Sequence, residues 1–247
     1  MQVVLADGSL PDEPRLYARE LSSDVLRAAA ALKNPRRRSY LGKRLLLALH
    51  LRGQRLLCGR LELSTEPGGR PQLCGCRGEC SFSDSGGYMA CAYSHSRLGL
   101  DIERVRIRPC MEAMLSRYFS ASESFYVHAS PQPEVSFCLL WTVREAVLKT
   151  LGLGLERIQD VRCDPAAGLV QLGGAAMDRL PSPLPYTVRS FCLSCNADTL
   201  CLSICGSGDE VRFHAYTASG FVPLEAGSPR LELTASVQTA PLSDSRW

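Results

Sequence analysis

Hydrophobic positions along the chain change period several times, and each change marks an element. Residues 12–33 carry helical spacing, clearest in "DVLRAAAALKN", and "PRRRSYLGKRLLLALHLRG" predicts a second helix bounded by Pro35 and Gly53. "LLCGRLEL" reads as a strand, and "STEPGGRPQLCGCRGE" as a turn-rich loop. "CSFSDSGGYMACAY" and "RLGLDIERV" are β-like runs joined by "SHS". Residues 110–129 return to helical spacing, with Ser120 and Glu123 forming a cap signal, and a further helix is expected from about 136 to 151. "LERIQDVRC", "GLVQLG", "LPYTVRSFCLSC" and "TLCLSICG" read as strands or strand-containing segments, and 226–247 as a polar, loosely packed tail. Each half runs helix first and strands later, so the expected class is α+β, with two similar lobes.

Two of these segments carry unusual polar positions. In "LGLDIE", Leu98, Leu100 and Ile102 share one strand face while Gly99, Asp101 and Glu103 share the other. On the 136–151 helix, Leu140, Val143, Val147 and Leu151 form the apolar stripe, with Thr142, Glu145 and Lys149 opposite. Taken alone, Glu145 and Lys149 make an ordinary i,i+4 surface pair, and Asp101 and Glu103 a solvated strand face. Taken together, three carboxylates offer hard oxygen ligands of the kind Mg²⁺ accepts beside substrate phosphates, with lysine and arginine available to neutralise phosphate charge. Arg144 lies on the flank of the apolar stripe, near Trp141 and Leu148.

Composition narrows the field. The 247 residues are 45% hydrophobic and 21% charged, with net charge +3, too little to argue by itself for nucleic acid or a membrane. The basic cluster Arg36–Arg38 with Lys43 and Arg44 has only Tyr40 near it for base stacking, a weak case for a nucleic-acid binder. The apolar runs are too short to span a bilayer, and "MQVVLADGSLPDEP" lacks the pattern of a signal peptide, so a cytoplasmic protein is expected. Most of the twelve cysteines lie in apolar runs and read as small buried hydrophobes; "CGCRGEC" and "CLSC" leave a metal cluster open.

"LGLDIE" followed by "WTVREAVLK" resembles the phosphopantetheinyl transferases, in particular the larger surfactin-synthetase-activating type. "GGRPQL", "FSDSGGYMACAY", "RYFSASE" and "RRRSYLGKRLL" resemble further family segments, so the likeness runs from about residue 30 to 160. It implies two α/β lobes packed as a pseudo-dimer, with the active site at their interface. The sequence divides accordingly into an N-terminal lobe (1–103), a C-terminal lobe (104–225) and the tail. The implied activity is Mg²⁺-dependent transfer of 4′-phosphopantetheine from coenzyme A to a serine of an acyl or peptidyl carrier protein, by a monomer. Asp101, Glu103 and Glu145 would hold the metal, and Asp101, Glu145 and Lys149 would be catalytic. Arg38, Arg70, Ser83, Arg144 and Lys149 would contact coenzyme A. Two residues depart from the family pattern: Arg144 stands in place of lysine, and Asp84 in place of a histidine that helps hold the 3′-phosphate of coenzyme A. A catalytically altered paralogue that only binds coenzyme A or a carrier is the rival within the family.

Overall fold

The computed structural model describes residues 1–8, 10–174, 176, 186–208, 210–217 and 219–237. Its class is α+β, as the sequence pattern implies. The chain begins with strand β1 (Gln2–Ala6) and helices α1 (Pro14–Glu20), α2 (Ser23–Ala30) and α3 (Arg36–Gly53). Strands β2 (Glu62–Thr65), β3 (Pro71–Cys74), β4 (Glu79–Ser85), β5 (Tyr88–Ser94) and β6 (Leu98–Arg104) follow. Helices α4 (Met111–Tyr118), α5 (Ala121–His128) and α6 (Pro133–Leu151) lead through a 3-10 turn, Leu155–Asp160, into β7 (Val161–Asp164) and β8 (Leu169–Leu172). The last strands are β9 (Tyr186–Cys195), β10 (Asp198–Gly206), β11 (Arg212–Thr217), β12 (Gly220–Leu224) and β13 (Leu231–Val237). No helix among the described residues is long and apolar enough to cross a membrane.

Two sheets form, in the orders β12-β11-β1-β5-β4-β3-β2 and β6-β10-β9-β13-β8-β7. Strand alternation explains how they stack. On β1, Val4 and Ala6 pack toward α3, while Val3 and Leu5 face the second sheet. On β10, Leu200, Leu202 and Ile204 return that contact, while Cys201 and Cys205 pack under α6. The result is four layers, α3, sheet, sheet and α6, with an apolar core at each of the three junctions. Strands buried on both faces read as continuous apolar runs, which is why β5 and β10 are so rich in Leu, Ala and Cys.

Several details differ from the sequence reading. The 12–33 segment is broken into two helices at Leu21–Ser22, where the Ser22 hydroxyl accepts from Val25 N–H and restarts the helix. "LLCGRLEL" is extended only at its end, in β2. Part of the supposed tail is strand β13, which runs between β9 and β8; residues 238–247 of that tail lie outside the described residues. The chain also does not divide cleanly at residue 103. β6 hydrogen-bonds to β10 in the second sheet, and β11 and β12 cross back to extend the first.

Candidate active site

The junction of β6 with α6 is unusually close, and Gly99 permits it. A β-carbon at Gly99 would lie 2.1 Å from the Ala146 carbonyl oxygen and 2.5 Å from the Thr150 nitrogen, well inside contact distance. The helix therefore rests on the glycine itself, and residues one turn apart on α6 are carried down to Asp101. The space above Gly99 is filled by the α6 backbone.

Asp101 is 2% exposed. Its Oδ1 accepts from Ser83 Oγ at 2.6 Å and from Lys149 Nζ at 2.7 Å, whereas Oδ2 is buried with no hydrogen-bond partner. Lys149 Nζ also donates to the Leu100 carbonyl at 3.1 Å and to Ser83 Oγ at 3.2 Å, and lies 3.9 Å from Glu145 Oε2. Burial alone would lower the Lys149 pKa, but Asp101 and then Glu145 outweigh it and the net shift is upward. Glu145 is pushed from 4.5 up to about 8, first by burial and then by the Asp101 carboxylate. Lys149 and the hydrogen bond with Trp141 oppose that rise without cancelling it.

The edge of β6 facing β4 is held by three serines in place of a backbone ladder. Leu100, Ile102 and Arg104 N–H groups donate to the hydroxyls of Ser81, Ser83 and Ser85 at 3.0, 3.3 and 3.1 Å. The Ser83 hydroxyl in turn donates a hydrogen bond to Asp101 Oδ1, and the Ser85 hydroxyl donates to Glu103 Oε2 at 2.9 Å. This joint between the sheets consequently also orients both carboxylates. Ser83 acts here as a positioning residue behind Asp101.

Glu103 has a second partner, Arg108, whose Nη2 lies 2.5 Å from Oε2. Among the described residues no three Asp, Glu, His or Cys side chains converge closely enough to hold a metal ion as they stand. Two of the three expected ligands still fit a hard divalent cation. The orphaned, buried Oδ2 of Asp101 lacks a positive partner, and burial together with the Asp101 carboxylate raises the Glu145 pKa, a conflict that a cation between them would relieve. Glu103 would join them only on loosening its ion pair with Arg108.

Lys149 also lines a cleft of about 330 Å³ between α3, β4 and the start of β3. Its charged lining is wholly basic: Lys43, Arg44, Arg70 and Lys149. Arg44 stacks over the Tyr40 ring at 3.3 Å from its centroid and lies 4.8 Å from that of Phe82. Arg70 is buried, pairing with Glu79 at 2.9 Å and, at longer range, with Glu66. Gly68, in a positive-φ conformation, lets its loop press against the Gly152 carbonyl on the opposite wall. Asp84, where the sequence resemblance implies a histidine, pairs with Lys43 and so caps one of the cleft's cations. Burial lowers the Lys43 pKa, and Asp84 works against that fall.

Two expected contacts lie elsewhere. Arg38 sits at the start of α3, where its Nη2 donates to the Gly8 carbonyl at 3.1 Å; it lines a neighbouring cavity with Asp84 and Tyr88. The reason is helical phase, because the α3 residues facing the cleft are Tyr40, Lys43 and Arg44. Arg144 is corrected more sharply. It is fully buried in the α6 core, bonding both oxygens of Glu123 at 2.7 and 2.6 Å and donating to the Tyr118 carbonyl. Glu123 in turn forms the Ser120 capping box and accepts from Cys163 N–H at 2.8 Å. Arg144 thus anchors α6 to α5 and β7 and takes no part in the cleft.

The sequence pattern marks Lys43 and Arg44 only as members of a basic cluster on a helix, and gives no role to Arg108, Ser81 or Ser85. The Ser-x-Ser-x-Ser spacing of β4 was the available signal, since period two puts all three hydroxyls on one face.

Residues 97–181, which include β6 and α6, match the family model of the 4′-phosphopantetheinyl transferase superfamily. The fatty acid synthase subunit alpha of Schizosaccharomyces pombe is 33% identical over 91 residues, which make up 34% of this chain and 5% of that protein. This chain therefore corresponds to a small part of that relative's length. The superfamily likeness read from "LGLDIE" and "WTVREAVLK" falls in the matched segment.

Proposed function

We propose that this protein transfers 4′-phosphopantetheine from coenzyme A to a serine hydroxyl of a carrier protein, releasing adenosine 3′,5′-bisphosphate, and that it is of the larger, surfactin-synthetase-activating type. The observation that carries the reading is the position of Lys149. One ammonium group both pairs with Asp101 and faces a cleft whose charged lining is entirely cationic. A ligand bearing several phosphates suits such a lining, and the Arg44–Tyr40 stack offers a flat partner for an adenine ring.

In this mechanism the serine Oγ attacks the phosphorus that carries pantetheine. The pyrophosphate P–O bond breaks, and the electron pair leaves on the adenosine 5′-phosphate. Lys149 holds the pyrophosphate by charge, and Lys43, Arg44 and Arg70 hold the nucleotide's phosphates. Glu145, ionised beside a bound cation that would lower its elevated pKa, takes the proton from the attacking hydroxyl. A bound Mg²⁺, held by Asp101 and Glu145, would neutralise charge on the pyrophosphate oxygens. Ser83 and Ser85 keep the β6 carboxylates aimed. Because α3, the loop between β2 and β3, β4, β6 and α6 of one chain supply all these groups, a monomer suffices.

The relative's printed name makes fatty-acid carrier domains the first substrates to try. The test incubates the protein with coenzyme A, Mg²⁺ and a panel of apo carrier proteins and follows their intact masses. A 4′-phosphopantetheine increment on at least one carrier is expected. No increment on any carrier, from protein that is folded and binds coenzyme A, would leave the paralogue reading in its place.

A further inference from the structure

Cys192 on β9 and Cys201 on β10 are direct cross-strand partners, so their side chains project from the same face of the second sheet. Their sulfur atoms are 4.0 Å apart. Facing residues of an antiparallel pair have α-carbons about 4.5–5.5 Å apart, inside the span a disulfide accepts. Only a modest rotation of the two side chains separates this contact from a bond.

The two thiols differ in access. Cys201 is buried under α6, where its sulfur points to the Val135 carbonyl at 3.7 Å; Cys192 lies at the margin of that core, partly open to solvent. Cys138 of α6 completes a cluster of three but is itself buried, leaving Cys192 as the member a small oxidant reaches first. The Cys201 thiol, and more weakly Arg230, stabilise the Cys192 thiolate and bring its pKa from 9.0 down to about 7. Neither Cys195, three residues nearer the hairpin and on the opposite face of β9, nor the core thiols share this combination of contact and exposure.

We propose that Cys192 and Cys201 form an oxidisable dithiol, a modification site for hydroperoxides outside the candidate active site. With hydrogen peroxide, the Cys192 thiolate attacks one oxygen, the O–O bond breaks, Cys192 becomes a sulfenic acid, and the departing hydroxide takes up the proton that the thiol released on ionising and leaves as the first water. Cys201 then attacks the Cys192 sulfur, the S–O bond breaks, and the hydroxyl departs with the Cys201 proton as the second water. Two thiols are oxidised and one peroxide is reduced to two waters. The bridge would tie β9 to β10 at the level of Glu103, which is paired with Cys201 on the next strand.

The test treats the folded full-length protein with stoichiometric hydrogen peroxide, blocks the remaining thiols, and digests before aspartate. Cleavage before Asp198 separates Cys192 and Cys195 from Cys201 and Cys205, so a bridge appears as two linked peptides. The expected result is a linkage that fragmentation assigns to Cys192 and Cys201, that dithiothreitol reverses, and that survives in Cys195→Ser. It should fall at least tenfold in Cys192→Ser, with Cys192→Ala as a second variant and circular dichroism to confirm folding. Bridging through Cys138, Cys195 or Cys205, overoxidation of Cys192 with no linkage, or no thiol loss would each overturn the proposal.

Discussion

Arg144 and Glu123 form a two-pronged ion pair in the core of the α6 lobe, with both side chains fully buried. Phe119 lies beneath the guanidinium at 4.3 Å. Removing one member would strand a charge away from water. Arg144→Ala should cost about 3–5 kcal/mol of stability, read as a lowered urea midpoint. Replacing both members, as in Arg144→Met with Glu123→Leu, should recover a large part of the loss.

Gly99→Ala tests the contact that brings α6 onto β6. The added methyl group would meet the α6 backbone at Ala146 and Thr150 and the Thr150 hydroxyl, so α6 must shift. An overpacking cost of about 1–3 kcal/mol is expected. Transfer activity should fall by more than stability alone explains, because Glu145 and Lys149 ride on the displaced helix. Thermal melts and activity measured at a temperature where the variant is folded separate the two effects.

Asp101→Asn keeps the shape of the side chain but removes its charge, and with it the partner of Lys149. Carrier modification should drop by at least two orders of magnitude, on the scale of losing a charge-stabilising group at a reaction centre. Near wild-type transfer in the mass assay would remove Asp101 from the site.

Asp84→Asn would release Lys43 from its ion pair at the cleft. Coenzyme A and adenosine 3′,5′-bisphosphate should bind several-fold tighter, about the effect of one partly exposed charge pair. Isothermal calorimetry at low salt gives the comparison, and equal or weaker affinity would show that Asp84 is needed to place Lys43.

Glu145 links stability to pH. Unfolded, it ionises near 4.5; folded, it keeps its proton up to about 8. Between these values the folded state binds more protons, so the contribution of this residue to stability falls as pH rises. In metal-free buffer, Glu145→Gln should therefore melt a few degrees above wild type at pH 8, on the scale of about 2–4 °C per kcal/mol. The difference should vanish at pH 4, where both states are protonated.

How much of this was legible beforehand varies by element. Strand and helix periods put Asp101 with Glu103 on one face and Glu145 with Lys149 on another, but that the two faces belong to one site came from the resemblance to the phosphopantetheinyl transferases, since periodicity acts only within an element. The motif also led to the superfamily that residues 97–181 match. β1, β11 and β12 were not anticipated. They are short, and their pairing joins residues some two hundred positions apart, as with Val3 and Phe213.

By itself the sequence determined the local periods, the caps and the identity of the carboxylates, all of which depend on neighbours within a few residues. Only the tertiary structure decided that Arg144 turns inward to Glu123, that Asp84 caps Lys43, that Arg38 leaves the cleft, and that Glu103 is held by Arg108. Each of those outcomes depends on which opposite charge the packed layers bring within reach. A side chain's charge is set by its sequence, but its partner is set by burial, since a charge removed from water must take the nearest counter-charge available.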